Sequence, residues 1–460
     1  MSNTSGSEAA KPASLFSRVA KASSWSLVQV MAVNILRLCS NLIMTRLLVP
    51  EAFGLMALVS VLIAGFTLFT DIGINRSIAR EPDGDQDHFL RVAWVVKVWR
   101  GALIAGFILL SAALLWILAP SYAPKGTVYA DPDLPLLIAL SALVPLIAGF
   151  ASTNRELAQR RLQMQYPAML ETGAQFLTIV AMVIFASFSA TVWALMAGML
   201  VGNLLKTLGT HWFFPGPRMA FVWDRAVADR LWRYGKWLMG SSIFTFFAVN
   251  VEKLLLGVFL DAASFGIFVI ALIWIEAGVM VIVRLSDGVG FPVISEVMRT
   301  RPADAPRLYR KLQTTIDGIC LLAFLTLFFG GQLLIDALYT QTYAIAGTYL
   351  TVLALRFLAA RFDTVNGLIM NQGNSLAMMI ISGVRAIWIC VALPVAFLNF
   401  GFAAALVVIA LVPMVTVPYS LWLVWPYLGT KQVSFDLLWF ILTLVIAGFV
   451  YVHAAAALAA

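Results

Sequence analysis

The stretch Thr45–Val59, "TRLLVPEAFGLMALV", lies between two long apolar runs and is echoed at Gly257–Ala271 by "GVFLDAASFGIFVIA". Pro50 has no backbone N–H to donate, but its fixed φ suits the first turn of a helix. Glu51 beside it meets the positive end of the helix dipole. Val49 to Ala52 therefore reads as a tight turn that starts a second helix directly after a first. In the echo Asp261 stands in the place of Val49 and is a good N-cap, so the same event is reached by different chemistry. One offset, 212 residues, carries Trp25 onto Trp237, Leu42 onto Leu254, Leu48 onto Leu260, and Phe53-Gly54 onto Phe265-Gly266.

The 460-residue chain is 61% hydrophobic and 12% charged, with a mean hydropathy of +0.91. A soluble domain carries about 25% charged residues, because its surface must be polar somewhere. Here the solvent of most of the surface is lipid. Apolar runs long enough to cross a bilayer as helices recur near 24–48, 53–74, 90–118, 134–154, 168–187, 190–213, 235–260, 264–286, 312–337, 345–369, 375–398, 401–425 and 434–456. The expected fold is an all-α polytopic membrane protein. Two six-helix lobes, 24–214 and 235–428, are parallel repeats joined by a linker at 215–234 and followed by an extra hydrophobic segment at 429–460. Residues 1–23 read as a cytosolic tail with a short interfacial helix near Ser14 to Ala22.

Basic residues cluster after every second segment: Arg76, Arg80 and Arg91; Arg155, Arg160 and Arg161; Arg218, Arg225, Arg230, Arg233 and Lys236; then Arg299, Arg301, Arg307, Arg310 and Lys311. Lys and Arg stay on the cytoplasmic side, which puts the N-terminus inside and accounts for most of the net +8 charge. No nucleic-acid partner is needed to explain it. Six crossings per repeat is even, so both halves begin on the same side and are related by an axis along the membrane normal.

Charged groups in a membrane core are costly and normally face an interior or a watery cavity. In the first segment Asn34, Arg37, Asn41 and Thr45 share one helical face. In the seventh, Ser242, Thr245, Val249 and Lys253 do so, with Asn250 and Glu252 close by. The eighth offers Glu276, Met280, Arg284 and Asp287 at spacings of 4, 4 and 3. Glu276 has no cation within a turn of its own helix, which makes it the candidate coupling carboxylate. Arg284 and Asp287 also suit a structural ion pair. Lys97 and Arg100 suit snorkelling, Arg356, Arg361 and Asp363 crowd the tenth segment, and Arg385 stands alone in the eleventh. Cations outnumber carboxylates at depth, which favours an anionic cargo over a cationic one.

Catalytic signals are poor. P-loop, HExxH and nucleophile-elbow patterns are missing, as is a metal-ligand spacing among Cys39, Cys320, Cys390 and the three histidines. No cofactor and no enzymatic activity are expected.

"TRLLVPEAFGLMAL" resembles the RLLxPExFGxxAL signature of bacterial polysaccharide and oligosaccharide flippases of the Wzx type, in the multidrug/oligosaccharidyl-lipid/polysaccharide exporter superfamily. "FTDIGINRSIAR", "NVEKLLLGVFLDAASFGIFVIA" and "GVGFPVISEVMR" extend the likeness over roughly residues 20 to 430. Val49 replaces the family's Thr or Ser before Pro. The resemblance implies two lobes around a central cavity that opens alternately to each side of the bacterial inner membrane. The cargo it implies is an oligosaccharide on undecaprenyl pyrophosphate, moved to the periplasmic leaflet for surface polysaccharide synthesis. On that reading Arg37, Lys253, Arg284 and Arg356 bind the anionic group, and Asn34, Asn41 and Asn250 serve the sugars. Glu276 couples to a proton or sodium ion, and membrane lipids and polysaccharide-assembly proteins are the partners. A drug or metabolite exporter predicts acidic cavity stripes, which Arg37 and Lys253 oppose. A membrane-embedded polymerase or ligase needs a large outer loop, and Ala119 to Leu134 is short. A scaffold would leave the intramembrane charges without a purpose.

Overall fold

The computed structural model describes residues 15–285, 297, 305–371 and 375–459. Among these there is no strand. The helices are α1 (Leu15–Leu47), α2 (Pro50–Phe69), α3 (Ile74–Arg80), α4 (Asp87–Tyr122), α5 (Leu134–Ser141), α6 (Leu143–Gly149), α7 (Asn154–Arg160), α8 (Gln165–Phe188) and α9 (Val192–Trp212). After the linker come α10 (Arg225–Phe259), α11 (Ala262–Leu285), α12 (Ala305–Leu338), α13 (Ala346–Leu353), α14 (Leu355–Ala360), α15 (Asp363–Asn371), α16 (Ser375–Leu411) and α17 (Val417–Ala459). The chain is an all-helical, multi-pass membrane protein.

Nine helical stretches among the described residues are long and apolar enough to cross a membrane, or ten with the bent pair Leu134–Gly149 and Asn154–Arg160 as one crossing. One of them, Leu376–Leu458, runs for 83 residues. As a straight helix it would be about 125 Å long, several times the hydrocarbon thickness of about 30 Å. It turns instead at Gly401 (φ 80°) and Gly429 (φ 74°). Only glycine takes this left-handed conformation without a Cβ clash. The resulting limbs, 375–400, 402–428 and 430–459, correspond to the last three segments expected from sequence.

The order of elements repeats at the same offset as the sequence echo. Helices break at Val49 and Asp261, at Ala142 and Ala354, and at Ser189 and Gly401, each pair 212 residues apart. Packing repeats as well: α1 lies on α8 as α10 lies on α16, and α4 on α5 and α6 as α12 on α13 and α14. The tightest join between the two halves is α2 against α11. Gly54 faces the Ala262 carbonyl and Gly266 faces the Pro50 carbonyl, so closely that a Cβ on either glycine would collide. Small residues let membrane helices approach to backbone contact.

Three expectations are corrected. The segment near Ser14 to Ala22 is no separate interfacial helix, because residues from Leu15 onward are the first turns of α1. Lys97 and Arg100 do not snorkel: Lys97 pairs with the buried Glu156 at 3.1 Å, and Arg100 donates to the Thr67 carbonyl at 2.6 Å. Arg385 is not alone, since it pairs with Asp363 at 3.3 Å and donates to Thr416 at 3.0 Å. For Lys97, Arg100 and Arg385, a partner from another helix offsets the desolvation that a single helix viewed alone would leave unanswered. Asp287, Phe291-Pro292, Arg299 and Arg301 lie outside the described residues.

The extra C-terminal limb is held by a buried charge cluster. Arg361, 1% exposed, donates to Asp317 at 2.6 and 3.1 Å and to Asp436 at 2.9 Å. Gln313 donates to Asp317 at 2.9 Å. Asp436, Ala447 and Val450 on the limb are all buried, so it packs as part of the bundle.

At the arginine-rich end, the linker is clamped to the loop after α3. Arg230 grips Asp83 at 2.6 Å, and His88 meets Asp224 at 2.9 Å. The Arg230 hydrogen bond holds the Asp83 carboxyl below its ordinary range. The His88 bond, with the Ala226 amide that Asp224 caps, does the same for Asp224.

Candidate functional site

A cavity of about 460 Å³ lies between the halves. Its α1 wall carries Asn34, Arg37, Leu38, Ser40, Asn41 and Met44, and its α11 wall carries Ile273, Glu276, Ala277 and Met280. Gln175 and Met182 of α8, Ser60 and Phe53 of α2 and Leu195 of α9 complete the lining. The helical spacing that made a polar stripe of Asn34, Arg37 and Asn41 thus points that stripe into the cavity. Glu276 sits opposite, half exposed.

Each wall has its own charge balance. On the α10–α11 side, Lys253 pairs with Glu276 at 2.9 Å. Glu252 lies within the fields of Lys253, Arg356 and Glu276, so two cations meet two carboxylates. Lys253 is mostly buried behind this pair and does not line the cavity. Glu276 therefore has the cation that its own helix lacks, supplied by α10. On the other side, Glu171 of α8 receives Arg155 at 2.8 Å and Lys206 at 3.0 Å, and it feels the charge of Arg37. Three cations surround one carboxylate there.

The remaining candidates are placed differently. Arg284 is exposed at the end of α11, one helical turn beyond Met280. Asn250 spends its amide on the carbonyl of Phe246, one turn back, at 3.5 Å. The side-chain carbonyl of Asn41 accepts from the Tyr339 hydroxyl at 2.9 Å, and Tyr339 in turn accepts from the Trp274 indole at 2.9 Å. Asn41 is thereby tied across the two halves.

That tie belongs to a seal at one end of the cavity. Tyr343 donates to the Leu48 carbonyl at 2.9 Å, Tyr129 to the Leu254 carbonyl at 3.1 Å, and the Val128 amide to Leu260 at 3.1 Å. With the glycine contact of α2 and α11, these bonds close the end that bears Val49 and Asp261. Sequence reading missed Tyr339, Trp274, Arg155 and Lys206. Lys206 did leave a signal: a lone cation inside "LVGNLLKTLG", where an unpaired charge would be expensive.

Residues 43–346 match the family described as "Polysaccharide biosynthesis protein". The chain belongs to that family. Among relatives, the Lipopolysaccharide biosynthesis protein WzxC of Escherichia coli (strain K12) is 25% identical over 258 residues, 55% of this chain and 49% of that protein. The Succinoglycan biosynthesis transport protein ExoT of Rhizobium meliloti (strain 1021) is 23% identical over 293 residues, 63% of this chain and 56% of that protein. The chain spans about half the length of these relatives. The fold is similar to that of a multidrug resistance MATE family transporter of the MOP superfamily in an inward-facing conformation (TM-score 0.65, 16% identity, 86% of this chain and 96% of that one). It is also similar to the lipid II flippase MurJ in an inward closed conformation (TM-score 0.61, 14% identity, 94% and 98% covered). The chain thus shares the fold of these two solved transporters.

Proposed function

We propose that this chain is a flippase that carries an undecaprenyl-pyrophosphate-linked oligosaccharide from the cytoplasmic to the periplasmic leaflet of the bacterial inner membrane. The observation that carries the reading is a cavity between the halves with Arg37, Asn34, Asn41 and Glu276 on its walls. A sugar chain and a diphosphate do not cross hydrocarbon unaided. The cavity offers them hydrogen bonds and positive charge, while the lipid tail stays in the bilayer. Arginine suits the role because its planar fork meets phosphate oxygens two at a time.

The N-terminus is cytoplasmic in this scheme, with the arginine-rich loops on the same side. The seal at Leu48, Tyr343 and Tyr339 is then periplasmic, and the cavity is reached from the cytoplasm. Residues 24–214 and 235–428 move as the two lobes, and breaking the seal while closing the basic end exchanges access. The Lys253–Glu276 pair is the coupling element, through which a proton or sodium ion acts by releasing Lys253. Arg284 and Arg356 guide the anionic head inward. Polysaccharide-assembly proteins are the partners that supply and receive the cargo.

The test is replacement of Arg37 by Gln together with Lys253 by Met in cells that depend on this chain for surface polysaccharide. The expected result is loss of the polysaccharide, with lipid-linked oligosaccharide accumulating in the inner leaflet and protein levels intact. Surface polysaccharide at the normal level in that strain would refute the assignment.

A further inference from the structure

The two walls of the cavity differ in a way the transport reading does not require. Lys253 and Arg356 face Glu252 and Glu276, which leaves that wall balanced. On the other side, the charges of Arg155, Lys206 and Arg37 all act on Glu171. The Glu171 carboxylate spends one oxygen on each partner: Oε1 on Arg155 at 2.8 Å and Oε2 on Lys206 at 3.0 Å. Glu171 is itself mostly buried (14% exposed), whereas Arg155 (38%) and Lys206 (33%) remain reachable. The cluster joins the cavity through Gln175, one turn along α8, and through Arg37 on α1.

A planar carboxylate bridging a guanidinium and an ammonium occupies the positions that two phosphate oxygens would take. We infer that Glu171 is a built-in counter-anion, held between Arg155 and Lys206 until a diphosphate takes those cations. The inference rests on the flippase reading and adds to it the place where the charged group is received. While the cavity is empty, Glu171 keeps two cations paired and α7, α8 and α9 together. When the diphosphate arrives, its several negative charges outcompete a single carboxylate, and Arg37 completes the grip. A neutral or cationic cargo would gain nothing from this exchange. If the cluster were only a static brace between helices, removing the carboxylate charge would cost stability and leave ligand affinity unchanged.

The experiment is a binding titration of the purified full chain in detergent with inorganic pyrophosphate and, separately, with a short-chain prenyl diphosphate. Glu171→Gln is expected to bind both roughly tenfold more tightly than the unaltered chain, because the competing charge is gone. Arg155→Gln and Lys206→Gln are expected to weaken both by a similar factor. Glu171→Asp, whose shorter side chain reaches the cations less well, should fall between, and it carries the comparison if the Gln variant does not fold. Inorganic pyrophosphate should displace the prenyl ester, which shows that the charged group is read. Equal or weaker binding by both Glu171 variants would overturn the inference, as would a prenyl ester that pyrophosphate cannot displace. Loss of export in the Arg37/Lys253 strain alongside unchanged Glu171 affinities would discard the counter-anion and keep the flippase. Tightened binding alongside normal export would do the reverse.

Discussion

Gly54 of α2 and Gly266 of α11 pack against each other's helices, each lying over the carbonyl of the residue four positions before the other. The contact is reciprocal: Pro50 is to Gly54 as Ala262 is to Gly266, and both pairs share the 212-residue offset. A residue that meets its own counterpart in this way sits on a two-fold axis, the intramolecular analogue of an isologous dimer contact. The Phe-Gly dipeptide that recurs in the sequence thus marks the point where the two copies touch.

Gly266→Ala should therefore push α11 away from α2. Overpacking a tight contact typically costs about 1–3 kcal/mol, and here the obstacle is backbone, which cannot rotate aside. The expected outcome is a lower melting temperature of the detergent-solubilised protein. Gly106→Ala on α4, where an added methyl meets nothing within 4 Å, should leave it unchanged or slightly raised. Equal melting temperatures for the two variants would show that the α2–α11 contact is looser than described.

Arg361 gives a sharper stability test. Arg361→Leu strands Asp317 and Asp436 as buried, unpaired carboxylates, and breaking one side of a buried pair costs about 3–5 kcal/mol. Combining it with Asp317→Asn and Asp436→Asn removes the charges together and should recover much of the loss. The readout is the melting temperature and the yield of folded protein. A triple variant no better than the single one would assign the cost to lost packing of the guanidinium against Phe362 and Trp439, which it also faces.

The sequence carried the helices, their repeat and the polar face of α1, because these depend on local period and on charges near their own helix. Asn34, Arg37 and Asn41 needed only 3.6-residue geometry to share a face, and the cavity lies on that face. What it did not carry was pairing between distant helices. Lys253 with Glu276, Arg385 with Asp363, and Arg361 with Asp317 and Asp436 join residues 22 to 75 positions apart. No single-helix pattern encodes such pairs. Asn41 was legible as cavity-facing, but its bond to Tyr339 spans 298 positions and appears only once the halves are assembled. Tyr339 itself, near the end of α12, reads from sequence as an ordinary interfacial aromatic.

The clamp between the linker and the loop after α3 should respond to acid in a defined direction. Its carboxylate, Asp83, is held below its ordinary value of 3.8, first by the hydrogen bond from Arg230. A depressed carboxyl pKa contributes stability that is fully present above the ordinary value and is lost as pH falls through the lowered one. Arg230→Gln should thus speed proteolytic nicking near the linker at pH 7. The difference from the unaltered chain should persist at pH 5 and shrink only below about pH 3.8, using an acid-tolerant protease there. A difference that vanished between pH 7 and pH 5 would show that the Arg230–Asp83 bond does not set the acid response of the clamp.

Tyr339 supplies one of the bonds that hold the seal across the two halves. Tyr339→Phe keeps the ring and its packing, removes the hydrogen bond to Asn41, and leaves the Trp274 N–H without its acceptor. The buried Asn41 carbonyl left without its donor costs about 1–3 kcal/mol only while the seal is closed, whereas the Trp274 bond lies within one half and its loss falls on both states alike. The equilibrium should shift toward opening at the Val49 end by about fivefold or more. In a cysteine-free background, a cysteine at buried Met44 reports this through its labelling by a membrane-impermeant maleimide added from that side. Tyr339→Phe and Asn41→Ala should each speed labelling, and the double variant should add little to either, because both remove one shared bond. Labelling that stayed as slow as in the parent chain would mean that the glycine contact and the Tyr343–Leu48 bond keep the seal shut by themselves.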